Sequence, residues 1–303
     1  MLDLMIIGAG PAGLSAAVYA QRAALDACVL EQYTAGGQIA EAVDVENYPG
    51  IPSITGAALA QRMEQHAKVL GSTLQTAEVV SLIRRASCWD AICANGQTVS
   101  ARAVIAATGT MRRKLHVPGE DTYTGRGVSY CATCDGFFFK GKTVAVVGGG
   151  DTAVDDAIFL SEVAERIYLV HRRDSLRASP RRQEKLRQKT NVTILWDCVV
   201  TEICGDKDHM TALHVKQKNG TCPKLLTDGV FIAVGAQPKA EYLPAELLRD
   251  AAGYVPAAED GRTNLPGLFV SGDLRAKTQR QAITAAADGA CAVASVEQYL
   301  REM

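Results

Sequence analysis

The sequence predicts an α/β fold of doubly wound type, built twice over in one 303-residue chain. Three observations predict it. A short apolar run ends in a glycine-rich turn and passes into a stretch free of helix breakers, first over Leu2–Ala23 and again over Thr143–Val163. Each copy then reaches a second apolar run with a polar residue at its tip, and the spacing repeats: Gly8 to Glu31 and Gly148 to His171 are both 23 positions. The copies lie 140 residues apart, and a chain of this length holds about two domains at roughly 150 residues each. Two βαβ units in register read as two related Rossmann-like domains, in tandem or nested.

In the first copy, Leu2–Ile7 is predicted as a strand, Gly8-Ala9-Gly10-Pro11-Ala12-Gly13 as a tight turn, Leu14–Ala23 as a helix and Ala27–Leu30 as the next strand. The second copy repeats this with Thr143–Val147, Gly148-Gly149-Gly150-Asp151-Thr152-Ala153, Val154–Val163 and Ile167–Val170. The chemistry of such a turn is dinucleotide binding. Its first glycine permits the turn, its second lets backbone approach a pyrophosphate, and the helix N-terminus offers free N–H groups. A third strand, Leu268–Val270, leads to Gly272-Asp273 and a helical run from Gln281 to Leu300.

The strand tips distinguish two ligands. Glu31 can accept hydrogen bonds from ribose hydroxyls and would repel a 2′-phosphate, whereas His171-Arg172-Arg173 with Arg177 offers guanidinium forks to one. The first site is therefore read as unsuited to NADP and the second as suited to it.

Net charge excludes other classes. The 32 basic and 33 acidic residues nearly cancel, leaving no global field for nucleic acid or a charged membrane. The balance conceals a segment, Arg166–Lys189, with nine basic and two acidic residues, set against a remainder of −8. Its outer members, Arg181, Arg182, Lys185, Arg187 and Lys189, read as a solvated helix face. It lacks the interleaved aromatics of a nucleic-acid surface. No apolar run approaches the roughly 18 residues of a membrane span. Met1–Gly13 lacks the basic start of a secretory signal, and a cytoplasmic protein with reduced thiols is expected.

Nine cysteines are present, and in a reducing compartment a close pair means redox chemistry or metal. Cys131-Ala132-Thr133-Cys134-Asp135 can close a small disulfide, with a carboxyl beside it to shuttle a proton. A structural zinc site needs four ligands, and no second pair of this kind accompanies the first, so no metal is expected. The other seven cysteines read as packing residues. Cys134 precedes Gly148 by 14 positions, which places the pair in the second domain. Hydride transfer from a nicotinamide straight to a disulfide is poor chemistry, so an intermediary is needed; flavin is the natural one, and FAD is expected at the Glu31 site.

Taken together, Gly8 to Gly13, Gly36-Gly37-Gln38, Ala107-Thr108-Gly109, Cys131 to Gly136, Gly148 to Ala153, His171-Arg172-Arg173 with Arg177, Gly272-Asp273 and Arg280-Gln281-Ala282 resemble the low-molecular-weight bacterial thioredoxin reductases over essentially the whole chain. The resemblance implies two nested Rossmann-like domains: an FAD domain from residues 1–111 and 240–303, and an inserted NADPH domain, 112–239, carrying the redox pair. Polar, breaker-containing links at Arg112–Gly119 and Gly235–Pro244 suit the two crossings. For FAD it implies Gly8, Gly10, Pro11, Ala12, Gly13, Glu31, Gln32, Gly36, Gly37, Gln38, Asn47, Thr108, Gly109, Gly272, Asp273, Arg280, Gln281 and Ala282. For NADPH it implies Gly148, Gly150, Asp151, Thr152, Ala153, His171, Arg172, Arg173, Arg177 and Gly235.

It also implies a homodimer, thioredoxin as the protein substrate, and docking of that substrate at Arg126, Phe137 and Phe138. Electrons would pass from NADPH to FAD, to the Cys131–Cys134 disulfide, and on to thioredoxin. Cys134 would stand on the flavin side, Cys131 would attack the substrate disulfide, and Asp135 would move the proton. The inserted domain would turn about its two links during the cycle. A ferredoxin-dependent flavin thioredoxin reductase and a dithiol oxidase on the same scaffold are the alternatives, but such relatives discard the second glycine motif or the nicotinamide site. Departures from the pattern are Ser271 in place of alanine and Asp155-Asp156 in place of glutamates, the latter expected on an exposed helix.

Overall fold

The computed structural model describes residues 1–42, 45–218, 220–221 and 223–303. Cys222, one of the cysteines assigned to packing, lies outside them. The chain forms two compact units: Met1–Met111 together with Gln237–Met303, and Arg112–Ala236.

The first unit opens with β1 (Leu2–Ile7), α1 (Pro11–Arg22) and β2 (Ala27–Glu31), then α2 (Gly56–Val69), β3 (Thr73–Thr76), β4 (Val79–Arg84), β5 (Trp89–Cys93) and β6 (Thr98–Ala106). Its sheet runs β3-β2-β1-β6-β5-β4, with β1, β2, β3 and β6 parallel and the β4–β5–β6 edge antiparallel. The central strands are apolar on both faces because helices and loops cover both, as Leu4, Met5, Ile6 and Ile105 show by being completely buried. α1 starts three residues earlier than the periodicity predicts, because Pro11 is well suited to the first helical turn, where its missing N–H costs nothing. α2 is capped by Thr55, whose hydroxyl accepts from Ala58 N at 3.2 Å.

The chain leaves along β7 (Thr110–Arg112) and builds the second unit from α3 (Glu120–Tyr123), β8 (Val128–Ser129), α4 (Ala132–Asp135), β9 (Thr143–Gly148), α5 (Asp151–Ser161), β10 (Arg166–Val170), α6 (Pro180–Arg187), β11 (Val192–Leu195), β12 (Cys198–Gly205), β13 (Met210–Gln217), β14 (Lys224–Leu226) and β15 (Gly229–Ala233). A parallel sheet, β11-β10-β9-β15-β8, is accompanied by an antiparallel one, β12-β13-β14. The two sheets share a core of Val147, Val170, Ile203, Leu213, Val215 and Val230. Buried Glu120 pins the entering segment, its carboxylate accepting from Leu115 N, His116 N and Tyr130 Oη at 2.9, 2.7 and 2.8 Å.

The chain returns along β16 (Ala236–Pro238), paired with β7, and completes the first unit with β17 (Leu268–Val270) beside β6 and α7 (Ala282–Glu302) against α1. The return division falls at Ala236/Gln237, three residues before the expected 239/240. Lys239 is held by the first unit: its N–H donates to Gly109 O at 3.0 Å, and its carbonyl accepts from Thr108 Oγ1 at 2.6 Å.

Two expectations are corrected. Of the cysteines assigned to packing, Cys28, Cys93 and Cys198 are buried, but Cys88 and Cys204 are half-buried and Cys291 is exposed. Asp155 is exposed as expected, whereas Asp156, next along α5, is half-buried. Burial, reinforced by the Asp155 charge, pushes the Asp156 carboxyl up to about 7. A carboxyl raised in the folded state favours folding at low pH, and that contribution is lost as pH rises from about 4 through about 7. Asp156→Asn is therefore expected to stabilise the protein above neutrality, by on the order of 1–3 kcal/mol, and to change little at pH 4. Thermal melts of both proteins across that range check it.

Candidate active site

In the first unit three distant segments converge on one turn. Gly8 (φ +105°) and Gly13 are fixed by crowding: an added Cβ would lie 2.6 Å from Ala107 O at Gly8 and 1.8 Å from Gly8 O at Gly13. Gly10 differs, since its nearest neighbour, Gly36 O, would be 4.0 Å away. The space over Gly10 is open, as close approach by a pyrophosphate requires, and α1 starts there with no side-chain cap on its free amides. Glu31 ties the strand tip to the turn, accepting from Ala9 N at 2.6 Å and Tyr33 N at 3.1 Å. Gln32 follows it, half-buried. Gly36 N donates to Ala9 O at 2.7 Å, and a Cβ on Gly37 would sit 3.3 Å from Gly10 Cα, so the Gly36-Gly37 loop lies against the same turn.

The C-terminal segment meets it from the other side. A Cβ on Gly272 would lie 2.8 Å from the Ala12 Cβ, and one on Gly289 of α7 would lie 2.1 Å from Ala12 O. Asp273 is half-buried, with its carboxyl raised by burial and drawn back by Lys277 and Arg280. Asp273 Oδ1, Arg280 Nε and Ser271 Oγ are buried without a hydrogen-bond partner, a set suited to a ligand rich in hydroxyl and phosphate oxygens. The Arg280 guanidinium stacks 4.2 Å above Tyr254, Gln281 caps α7, and Ala282 is its first residue. Other expected contacts are committed within the protein. Gln38 Nε2 donates to Thr110 O and Oγ1, Asn47 Nδ2 to Gln281 Oε1 at 3.2 Å, and Thr108 Oγ1 to Lys239 O, while Gly109 makes a turn at φ +65°.

The second unit repeats the arrangement. A Cβ on Gly148 would lie 2.4 Å from Ala233 O, and Ala153 packs beneath that glycine where the first copy has Gly13. At Gly150 nothing lies within 4 Å. His171, expected among the ligand-facing residues, instead has its ring buried against Gly149, edge-on to Trp196 at 6.2 Å, with Nε2 2.9 Å from Ser175 O. It shapes the turn that follows, which Arg177 N anchors to Gly149 O at 2.7 Å. Arg172, Arg173 and Arg177 are consequently exposed, and among the described residues none has a side-chain hydrogen bond or ion pair. Asp151 accepts from Ser179 N at 2.8 Å, Thr152 is exposed, and Gly235 turns at φ +112°. The outer basic face is less free than predicted: Arg182 pairs with Asp155 and Asp151, Arg187 with Glu184, and Lys189 with Glu162.

Cys131 and Cys134 are joined as a disulfide across α4 in this unit, with Cα atoms 5.3 Å apart. Asp135 follows it, half-buried. Ser129 at the end of β8 donates to Asp135 Oδ2 at 2.6 Å and accepts from Cys131 N at 3.1 Å, so one hydroxyl orients both the carboxyl and the disulfide. Asp135 Oδ1 has no partner. Burial raises the Asp135 carboxyl, with the Ser129 bond and the Arg112 charge opposing. Ser129 and Arg112 were not found from the sequence, where no spacing marks them. Phe137 and Phe138 are 59% and 44% exposed. Arg126 is exposed too, but its guanidinium donates to Thr122 O and Lys207 O.

A model of the pyridine nucleotide-disulphide oxidoreductases matches residues 2–289. The chain belongs to this family. Among its relatives are the thioredoxin reductases of Listeria innocua, 41% identical over 99% of this chain and 94% of the relative, and of Streptomyces clavuligerus, 43% identical over 98% and 94%. The crystal structure of thioredoxin reductase from Streptococcus pyogenes superposes with a TM-score of 0.94 at 39% identity, covering 100% of this chain and 99% of that one. The architecture is accordingly the two-domain Rossmann-like one, and the cofactors are FAD and NADPH. No described helix is long and apolar enough to cross a membrane.

Proposed function

We propose that this chain is an NADPH-dependent flavoprotein that reduces the disulfide of thioredoxin; its relatives carry the name thioredoxin reductase. The observation that carries the reading is the Cys131–Cys134 disulfide beside a half-buried carboxyl, in the same unit as a glycine turn tipped by unpaired arginines. A ferredoxin-dependent enzyme has no use for those arginines, and neither has a dithiol oxidase.

The open backbone at Gly10 and the Asp273, Arg280 and Ser271 atoms left without a hydrogen bond suit FAD, and the open backbone at Gly150 with the three arginines suits NADPH. FAD, when bound, accepts the two electrons of a hydride and passes them to the disulfide. The residues of the chain do the rest. Once reduced, Cys131 attacks the thioredoxin disulfide as a thiolate and forms a mixed disulfide. Cys134 then attacks Cys131 Sγ, releasing thioredoxin as its dithiol and restoring the internal disulfide. Asp135, held by Ser129, supplies and recovers the proton at the departing sulfur. Phe137 and Phe138 offer an exposed apolar contact to the protein substrate. A homodimer in the cytoplasm is part of the same reading, and sedimentation at working concentrations tests the dimer.

The deciding assay is thioredoxin disulfide reduction with NADPH, NADH or reduced ferredoxin as donor and oxygen as competing acceptor. Only NADPH is expected to support rapid turnover. A second measurement addresses Asp135. Because its carboxyl is raised, the acid form persists above the usual carboxylate range and is lost as pH rises through the raised value. Asp135→Asn is expected to lower kcat by about 10²-fold and to erase that limb of the pH profile. A variant that keeps the limb would assign it to another group.

A further inference from the structure

The antiparallel sheet of the second unit carries a cluster that the disulfide chemistry does not use. Glu202 and Cys204 lie two residues apart on β12, and His214 stands directly opposite Glu202 on β13. One ligand-type atom from each, a carboxylate oxygen, a thiol sulfur and an imidazole nitrogen, lies within 4.8 Å of both others, and His214 Nδ1 is 3.9 Å from the nearer Glu202 oxygen. Glu202 is exposed and the other two are half-buried, so the group opens on the outer face of the sheet while Ile203 and Leu213 fill the core beneath.

The backbone is shaped around this group. The pairing of β12 with β13 is irregular between Val200 and Glu202 and again between Cys204 and Gly205, bracketing the two β12 residues. Bulges of this kind re-aim side chains and recur at functional positions. Thr201 Oγ1 donates to His214 O at 3.2 Å and holds the histidine strand against the first bulge. Lys224 is paired with His214 on the next strand, β14. Burial and the Glu202 charge hold the Cys204 thiol above its ordinary range, and the positive charge of Lys224 offsets this only in part; the same charge opposes an added cation, which limits affinity without removing a ligand.

We propose that Glu202, Cys204 and His214 form a binding site for a divalent transition metal of zinc type, with solvent at the fourth position. Mixed sulfur, nitrogen and oxygen donors select such a cation over calcium or magnesium, which take oxygen ligands. Bond lengths of about 2.0–2.3 Å place tetrahedral donors roughly 3.5 Å apart, so side-chain rotation of about an ångström closes the cluster. Binding displaces the Cys204 thiol proton to solvent and takes His214 in its neutral form. The motif is invisible along the chain because its third ligand comes from the neighbouring strand.

The test uses FAD-loaded protein with Cys131→Ser and Cys134→Ser, so that the redox pair cannot bind metal, titrated with cobalt(II) under reducing conditions. One equivalent should give the visible bands of a tetrahedral thiolate complex, to the red of flavin absorption, and zinc(II) should displace them. Adding His214→Ala or Cys204→Ser should weaken binding by at least about tenfold, since even outer-shell partners are worth that much. Cys291→Ser, an exposed cysteine of the first unit, should leave it unchanged. Zinc should also raise the melting temperature of the parent but not of the ligand variants. Absence of the bands, or binding that survives both ligand substitutions, would overturn the site.

Discussion

Cys134→Ser is expected to reduce NADPH-dependent thioredoxin reduction by at least about 10³-fold, the scale of losing an essential nucleophile, while NADPH oxidation with a small quinone acceptor persists. The disulfide is the only one among the described residues, so its loss removes the route by which two electrons reach a protein substrate. The glycine turns and strand-tip residues of both units are untouched, which is why a small acceptor still turns over. Cys131→Ser gives the same overall loss, and the two variants are separated by trapping. If Cys131 is the attacking sulfur, Cys134→Ser leaves it with no internal thiol to resolve the mixed disulfide. A covalent complex should then accumulate with a thioredoxin that lacks its own resolving cysteine and carries its remaining cysteine as a mixed disulfide with a small aromatic thiol, which departs as its thiolate when Cys131 attacks. Cys131→Ser should form none. Trapping by Cys131→Ser alone would exchange the two roles, and trapping by neither would remove the exchange step from this pair. Ser129→Ala provides an intermediate case, since it unties Asp135 and Cys131 N together without touching a sulfur.

What could be read from the sequence was what local periodicity and short spacing encode. β1, α1 and β2, and likewise β9, α5 and β10, are buried apolar runs joined by glycine turns, so pattern and tertiary structure agree there. The β12-β13-β14 sheet escaped because one face meets solvent, and strands that are half polar resemble loops. The interior of each site escaped for a related reason. Thr108 meets Lys239 across 131 residues and Asn47 meets Gln281 across 234, and no window of sequence contains both partners. His171 illustrates the limit within a correct motif. Its position at the strand tip was legible, but the pull of Ser175 O and the bare Gly149 surface turns its ring inward. Asp156 shows the same limit on a helix, where a neighbour one residue away is exposed and pairs with Arg182.

Replacing Arg172, Arg173 and Arg177 together by alanine is expected to collapse the preference for NADPH over NADH by about 10²-fold or more in kcat/KM. One charge-assisted contact to a phosphate is worth about 1.5–3 kcal/mol, or roughly 10- to 150-fold, and three guanidiniums on one dianion overlap, so the combined effect falls short of the sum. The change should reside in KM for NADPH, with kcat held, because the 2′-phosphate lies far from the nicotinamide and is bound equally before and during hydride transfer. Activity with NADH should change little. These arginines have no side-chain partner among the described residues, so their removal leaves no carboxylate unpaired and the fold should be unaffected. Arg182 serves as the contrast: it carries the same charge a few residues on, yet it pairs with Asp155 at 2.8 Å and Asp151 at 3.4 Å. Arg182→Ala should therefore shift the cofactor ratio far less than any inner substitution. Salt gives a second handle, since screening at a Debye length of about 8 Å weakens the attraction between exposed arginines and the phosphate. KM for NADPH should accordingly rise with ionic strength in the parent and lose most of that dependence in the triple variant. A triple variant that still prefers NADPH strongly, with its salt dependence intact, would place the phosphate elsewhere on the second unit.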